Sequence, residues 1–338
     1  MFFEKFRAAA ARLPAGLIRT NPAAAPDQLA AAETQLGVAL PQQLRSFLLS
    51  FDGADLFHGS ILIAGAGSQA SPTLNDLNAS DPVAGALFFA EAVLGDRFTL
   101  DAQGRVWRLR AGSDERILAG SGFSAWLDAT VAREQLLYDD DGEFAADAFE
   151  PDGQEVTART ARRQAERALR NDPGSAEAQH DLGTALRRLG KDQEAAQAFA
   201  AAAALDPGNP WPWFDLGRVQ LEQPDLASAA VESFRKAAAH ERGMGAARLL
   251  AWAARAAAVA GDQEVLAAAR RDALAHHAEL VEDLRRAVDA AASEDDQEAL
   301  GEAQALLSAL LGGAAPAPRR RLPIATAAAP AATRGRHK

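Results

Sequence analysis

Residues 173–217 read PGSAEAQHDLGTALRRLGKDQEAAQAFAAAAALDPGNPWPWFDLG, and within them the chain restates itself. Pro173 and Pro207, Gln179 and Trp213, Leu182 and Leu216, and Gly183 and Gly217 are each 34 residues apart. Ala195, Phe199 and Ala202 form a small-large-small set at helical spacing, the pattern by which a second helix packs on a first. The next copy carries Ala230, Phe234 and Ala237, displaced by one residue, so its turn near Gln223-Pro224-Asp225 holds an insertion. Upstream, Ala161 and Ala168 precede Pro173 in the same phase, yet no first helix precedes them. The expectation is one half-repeat, two good repeats and degenerate helix pairs over roughly 244–260, 262–290 and 295–311.

A period of 34 with this residue pattern resembles the tetratricopeptide repeat, so residues 156–312 read as an all-α helical repeat array. The resemblance implies that the first helix of each pair lines a concave groove. Glu177, His180, Thr184, Arg187 and Arg188 would line it in one repeat, and Trp211, Phe214, Arg218 and Leu221 in the next. Relatives that clamp C-terminal carboxylates use Lys and Asn at two of these slots, where this chain has His180 and Thr184. An arginine- and aromatic-containing groove suits a peptide or helix as partner.

The first 138 residues have a different texture. Pro26 to Leu36 sets Leu29, Ala32, Glu33 and Leu36 at helical spacing, and Gly37 follows as a helix stop. Pro41 suits the start of a second helix carrying Leu44, Phe47, Leu48 and Phe51. Strand-like runs follow at 61–63, 87–89 and 97–100, and again where Trp107 and Leu109 alternate with Val106, Arg108 and Arg110. Phe123 to Leu137 reads as a closing amphipathic helix. The expectation is α+β, a helix-flanked antiparallel sheet.

Glu33-x-x-Leu36-Gly37-x-x-Leu40-Pro41, with Leu44, Phe47-Leu48 and Asp52-Gly53, resembles the opening motif of the SUKH superfamily. That family includes fungal cell-wall assembly regulators and many bacterial toxin-immunity proteins. Gly95-Asp96-Arg97-Phe98 with Leu100-Asp101 and Gly104-Arg105-Val106 resembles its central hairpin, and Ser121 to Leu127 its closing helix. The resemblance implies a non-enzymatic protein that binds another protein stoichiometrically, in bacterial members often a cognate toxin. The alternative it leaves open is a general scaffold or regulatory adaptor of the fungal type.

The net charge is −11, and it is unevenly placed. Residues 133–155 hold nine acids and one base, while 313–338 hold six bases and no acid. Residues 139–155 therefore read as an acidic linker, with Asp139, Asp140, Asp141, Glu143, Phe144 and Phe149 as a partner-docking candidate. The alternative is a plain solvated linker. The Pro/Ala-rich end with Arg319-Arg320-Arg321 reads as a disordered basic tail.

Several chemistries lack their residues. The chain has no cysteine, hence no thiol nucleophile and no cysteine-held metal. Gly65-x-Gly67-x-x-Ala70 imitates a dinucleotide fingerprint, but Ser71-Pro72 breaks the helix it needs, so a turn leaving an edge strand is expected. Asp139-Asp140-Asp141-Gly142 imitates a calcium loop with Leu137 and Ala148 where the end ligands belong. His58 stands beside Gly59 in a loop-like sequence, His180 and His276-His277 on helical stretches, and no metal or catalytic spacing joins them. The expectation is no enzyme, no cofactor and no metal. No apolar run reaches about 18 residues, and the acidic balance disfavours nucleic acid. The partner is expected to be a protein, such as a basic toxin or effector, met in the cytoplasm. Oligomeric state is left open.

Overall fold

The computed structural model describes residues 3–67, 72–79, 86–113 and 115–312. The N-terminal unit comprises α1 (Glu4–Arg12), β1 (Ile18–Thr20), α2 (Pro26–Leu36), α3 (Gln42–Leu48), β2 (Ala54–Leu56), β3 (Ile61–Ile63), α4 (Leu74–Ala79), β4 (Leu87–Ala92), β5 (Arg97–Leu100), β6 (Val106–Leu109), β7 (Arg116–Gly120) and α5 (Phe123–Glu134). Its seven strands form one antiparallel sheet in chain order. Leu44, Phe47 and Leu48 of α3 are fully buried, and Phe47 meets Phe3, Phe6 and Phe123 ring edge to ring face. Such contacts add about 0.5–1.5 kcal/mol each beyond the area they bury.

The strand Ile61–Ile63 is not at an edge, contrary to expectation: β3 lies between β2 and β4. Three-residue strands such as β1 and β2 carry too short a pattern to show a period of two. Gly53 lets the chain pass this close, because a Cβ there would sit 2.7 Å from the Ile63 carbonyl, and its φ is +88°.

The C-terminal unit is all helical: α6 (Ala158–Asn171), α7 (Ala176–Arg188), α8 (Asp192–Leu205), α9 (Pro210–Leu221), α10 (Ala227–Ala238), α11 (Gly243–Ala260), α12 (Gln263–His276), α13 (Leu280–Ser293) and α14 (Gln297–Leu311). Thr157, Ser175 and Asn209 cap α6, α7 and α9, each accepting a first-turn N–H. The inserted residue forms a 3₁₀ turn at Pro224–Leu226. The stretch 262–290 divides into two helices at His277, which caps α12 in extended backbone instead of continuing the helix as expected. α14 folds back against α11.

The missing first helix of the half-repeat comes from the other unit. α5, which closes the sheet domain, packs along α6, and Ala129 of α5 joins Ala168 and Ala178 in one buried cluster. The free side of β7 is covered by the repeats' turns. The Ser121 N–H donates to the Asp172 carboxylate at 2.8 Å, and the Leu118 N–H to Asp206 at 3.3 Å. Trp107 and Leu118 pack on Ala176, and Arg108 pairs with both Asp96 and Glu177. Covering an edge strand this way removes its capacity to pair with another chain.

Residues 135–157 connect α5 to α6 as a folded strap. A 3₁₀ turn at Gln135–Leu137 leads to a bridge between Tyr138 and Phe144, a second 3₁₀ turn at Ala146–Ala148, and a bridge between Phe149 and Val156. A freely solvated linker is therefore not what the chain builds here.

Candidate interaction surfaces

The groove residues separate into three groups. Glu177 and Leu221 leave the groove: Glu177 is buried against Arg108, and Leu221 belongs to the core of the helical unit. Arg188 faces the strap, donating to the Val156 carbonyl at 3.0 Å and approaching Glu150 and Glu155 at 3.3 and 3.5 Å. Thr184 is exposed and, with Arg188, edges a cleft of about 320 Å³ between α5, α6 and α7.

The rest converge. His180 Nε2 lies 2.9 Å from Asp215 Oδ2, and Arg187 donates to Glu222 at 2.9 Å and approaches Asp215 at 4.0 Å. Burial opposes a charge on His180, but the Asp215 carboxylate outweighs it and holds the imidazole pKa above its ordinary value. Trp211, 42% exposed, meets Phe214 edge-on, and Phe214 packs on Phe234 and Trp252. The Arg218 guanidinium sits 5.7 Å from the Phe214 ring and 5.8 Å from that of Trp252. Arg255 joins it at 4.9 Å from Trp252.

Asp215, Glu222, Trp252 and Arg255 were absent from the sequence reading. A signal for the first two existed: His180–Asp215 and Arg187–Glu222 both span 35 residues, one more than the repeat period. Trp252 and Arg255 lie beyond the clean repeats, where no register pointed to them.

The acidic strap is tied into a turn by its own hydrogen bonds. The Asp139 carboxylate accepts the N–H groups of Asp141 and Glu143, both at 3.0 Å, and Gly142 turns with φ +86°. That leaves Asp140, Asp141 and Glu143 exposed at the tip. Phe144, 63% exposed, stacks on Tyr138, which stacks in turn on Phe57 of the sheet unit, while Phe149 meets Phe144 edge-on.

At the pseudo-fingerprint, the buried Asp52 carboxylate accepts the N–H groups of Ala66 and Gly67 at 2.6 and 2.9 Å. An internal carboxylate thus fills the place a phosphate would need. Ala70 and Ser71, and the basic tail 313–338, lie outside the described residues. Among the described residues no helix is long and apolar enough to cross a membrane.

A helix-flanked antiparallel sheet fused to a helical solenoid, with charged surfaces on both, fits a protein-interaction role. The sequence model of the SMI1 / KNR4 family (SUKH-1) matches residues 23–129, and a tetratricopeptide repeat model matches residues 158–210. The chain carries these two domains in that order, and both types typically serve as interaction modules, not as catalysts. No curated protein matches the chain. Similar solved structures include "Crystal structure of MamA", 17% identical with a TM-score of 0.34 over 46% of this chain and 87% of that one. Another is "MamA RS-1 ArsTM double mutant", 22% identical with a TM-score of 0.32 over 46% and 85%.

Proposed function

We propose that the protein binds and occludes a basic protein effector, as an immunity-type factor, with the acidic strap as the principal contact. The observation that carries this reading is the set of contacts that anchors the strap at both ends. Three exposed carboxylates and Phe144 are held on a turn fixed at one end by Tyr138 on Phe57 and at the other by Arg188. Preordered charge loses little entropy on binding and steers an oppositely charged partner.

The test is co-expression with a candidate toxin encoded beside this gene. Growth rescue with a stoichiometric complex supports immunity, and the triple variant Asp140→Asn, Asp141→Asn, Glu143→Gln is expected to weaken that complex. No protection and no complex would end the immunity reading. A second reading, a general scaffold, draws on the separate arginine-lined surface, which gives the molecule two unlike contact sites. Scaffolding would appear as several weak partners in place of one tight one.

A further inference from the structure

Successive inner helices of the solenoid each contribute one arginine to a single neighbourhood: Arg187 from α7, Arg218 from α9 and Arg255 from α11. Their counter-charges are unequal. Arg187 has Glu222 and Asp215. Among the described residues, Arg218 and Arg255 form no ion pair at all, and each instead lies against the Trp252 ring. The Nε atoms of Arg187 and Arg255 are buried with no hydrogen-bond partner. Burial, then the like charge of Arg187, holds the Arg218 pKa down against the pull of Glu302, Asp215 and Glu298. Burial likewise lowers Arg255, with Glu302 pulling the other way and Arg218 reinforcing the effect.

A structural role accounts for Arg187, whose terminal nitrogens staple α7 to α9. Among the described residues the other two make no such staple and pack on aromatic rings. The Arg255 Nε, buried without an acceptor, costs stability, and a fold keeps such a cost where a ligand offsets it. A guanidinium laid on an aromatic ring keeps its planar fork of N–H donors for a carboxylate.

We propose that Arg218 and Arg255, supported by Arg187 and floored by Trp252 and Phe214, form a receptor for a carboxylate-bearing segment of a protein partner. Its ligand is a short acidic peptide with an apolar residue beside its acids. This rests on the helical array being a protein-binding surface, and it assigns that surface a partner opposite in charge to the one proposed for the strap. A peptide fits better than nucleic acid, because residues 156–312 hold 24 acids against 18 bases and would repel a long polyanion. Two or three carboxylates need only the local cations.

The test uses the full-length protein on an array of immobilised peptides bearing Asp-Glu pairs beside Leu or Phe, each matched to an Asn-Gln counterpart. The expected result is capture by acidic members alone. In solution, fluorescence anisotropy with the best member should show Kd rising about tenfold or more for Arg218→Gln and for Arg255→Gln. The exposed Arg271→Gln should leave Kd unchanged. Melting temperatures of the two groove variants should equal or exceed the parent's, and Arg218→Lys, which keeps the charge but loses the fork, should fall between parent and Gln variant. No acidic preference, no capture, or unchanged affinity in the Gln variants would overturn the proposal. So would displacement of the peptide by an equal concentration of single-stranded oligonucleotide, which would give the site to phosphate. The Asp140, Asp141 and Glu143 variant should bind the peptide as the parent does, so failure here leaves the strap reading standing.

Discussion

Asp172 and Asp206 occupy the same position in successive repeats, yet removing them should have unequal consequences. Asp172 is fully buried, and its two oxygens accept the Ser121 N–H at 2.8 Å and the Gly174 N–H at 3.1 Å. Hydrogen bonds to a charged acceptor contribute roughly 1.5–3 kcal/mol each, and the Ser121 amide lies near enough to the surface to recover part of its loss from water. Asp172→Ala should therefore cost about 2–3 kcal/mol, concentrated at the seam between sheet and solenoid. Asp206 makes a longer 3.3 Å contact to Leu118, and burial raises its carboxyl pKa despite that bond. Removing a desolvated carboxylate returns part of what is lost, so Asp206→Ala should cost about 1 kcal/mol or less. Urea unfolding followed by far-UV dichroism and by tryptophan fluorescence measures both. Trp107, one of five tryptophans spread over both units, lies at the seam, and the two curves should separate in Asp172→Ala as the units lose their coupling. Asp172→Asn, which keeps one acceptor, should fall between. Coincident curves with a change under about 0.5 kcal/mol, or equal costs for the two aspartates, would refute the account of the seam.

Gly183→Ala should destabilise by about 1–3 kcal/mol, because a Cβ there would lie 2.6 Å from the Phe199 ring. Gly301→Ala, with nothing within 4 Å, should instead stabilise by about 0.5–1 kcal/mol, and thermal melts distinguish the two signs. Tyr138→Ala removes the ring between Phe57 and Phe144, so limited proteolysis within 139–155 should accelerate with little change in the main unfolding transition. The His180–Asp215 pair should contribute stability fully below the free-histidine pKa of about 6.5 and lose it as pH rises through the higher folded value. NMR titration should place His180 above a free histidine and Asp215→Asn should abolish the shift; a value lower than free histidine would contradict the pairing.

The legible part of the fold was the part governed by repetition and by long apolar stripes. Gly183 over Phe199 and Gly217 over Phe234 are the same packing event twice; the glycines recur at 34 and the phenylalanines at 35, so the recurrence showed in the sequence although the contact did not. The α3 stripe was legible because three of its residues are fully buried on one face. The seam was not. Arg108 and Glu177 are 69 residues apart and of types that usually face water, and nothing local marks either as buried. α5 was read correctly as a closing helix, but its second role depends on contact with α6, and the intervening strap hides that adjacency. The acids at 139–155 suggested solvation by composition, whereas Asp139 uses its carboxylate to close the turn that displays the others. In the groove, residue type was legible and pairing was not, since the partners of His180 and Arg187 lie one residue off the period.

The net charge of −11 would suggest a molecule that repels acidic partners everywhere, and its distribution says otherwise. The strap displays carboxylates that would turn away an acidic segment, and the arginines on Trp252 would turn away a basic one. Like charges brought together cost several kcal/mol, so with the two proposed partners each surface would exclude the other's as well as admit its own. Arg188 lies between the two, on the same helix as Arg187 yet committed to Val156 and Glu150 of the strap. One helix, α7, therefore supplies a cation to each side of the division. Alanine-rich packing makes this possible: α11 buries small residues on the faces that meet α10, α12 and α14, and helices so closely stacked leave the long side chains of the inner row to set the sign of the groove.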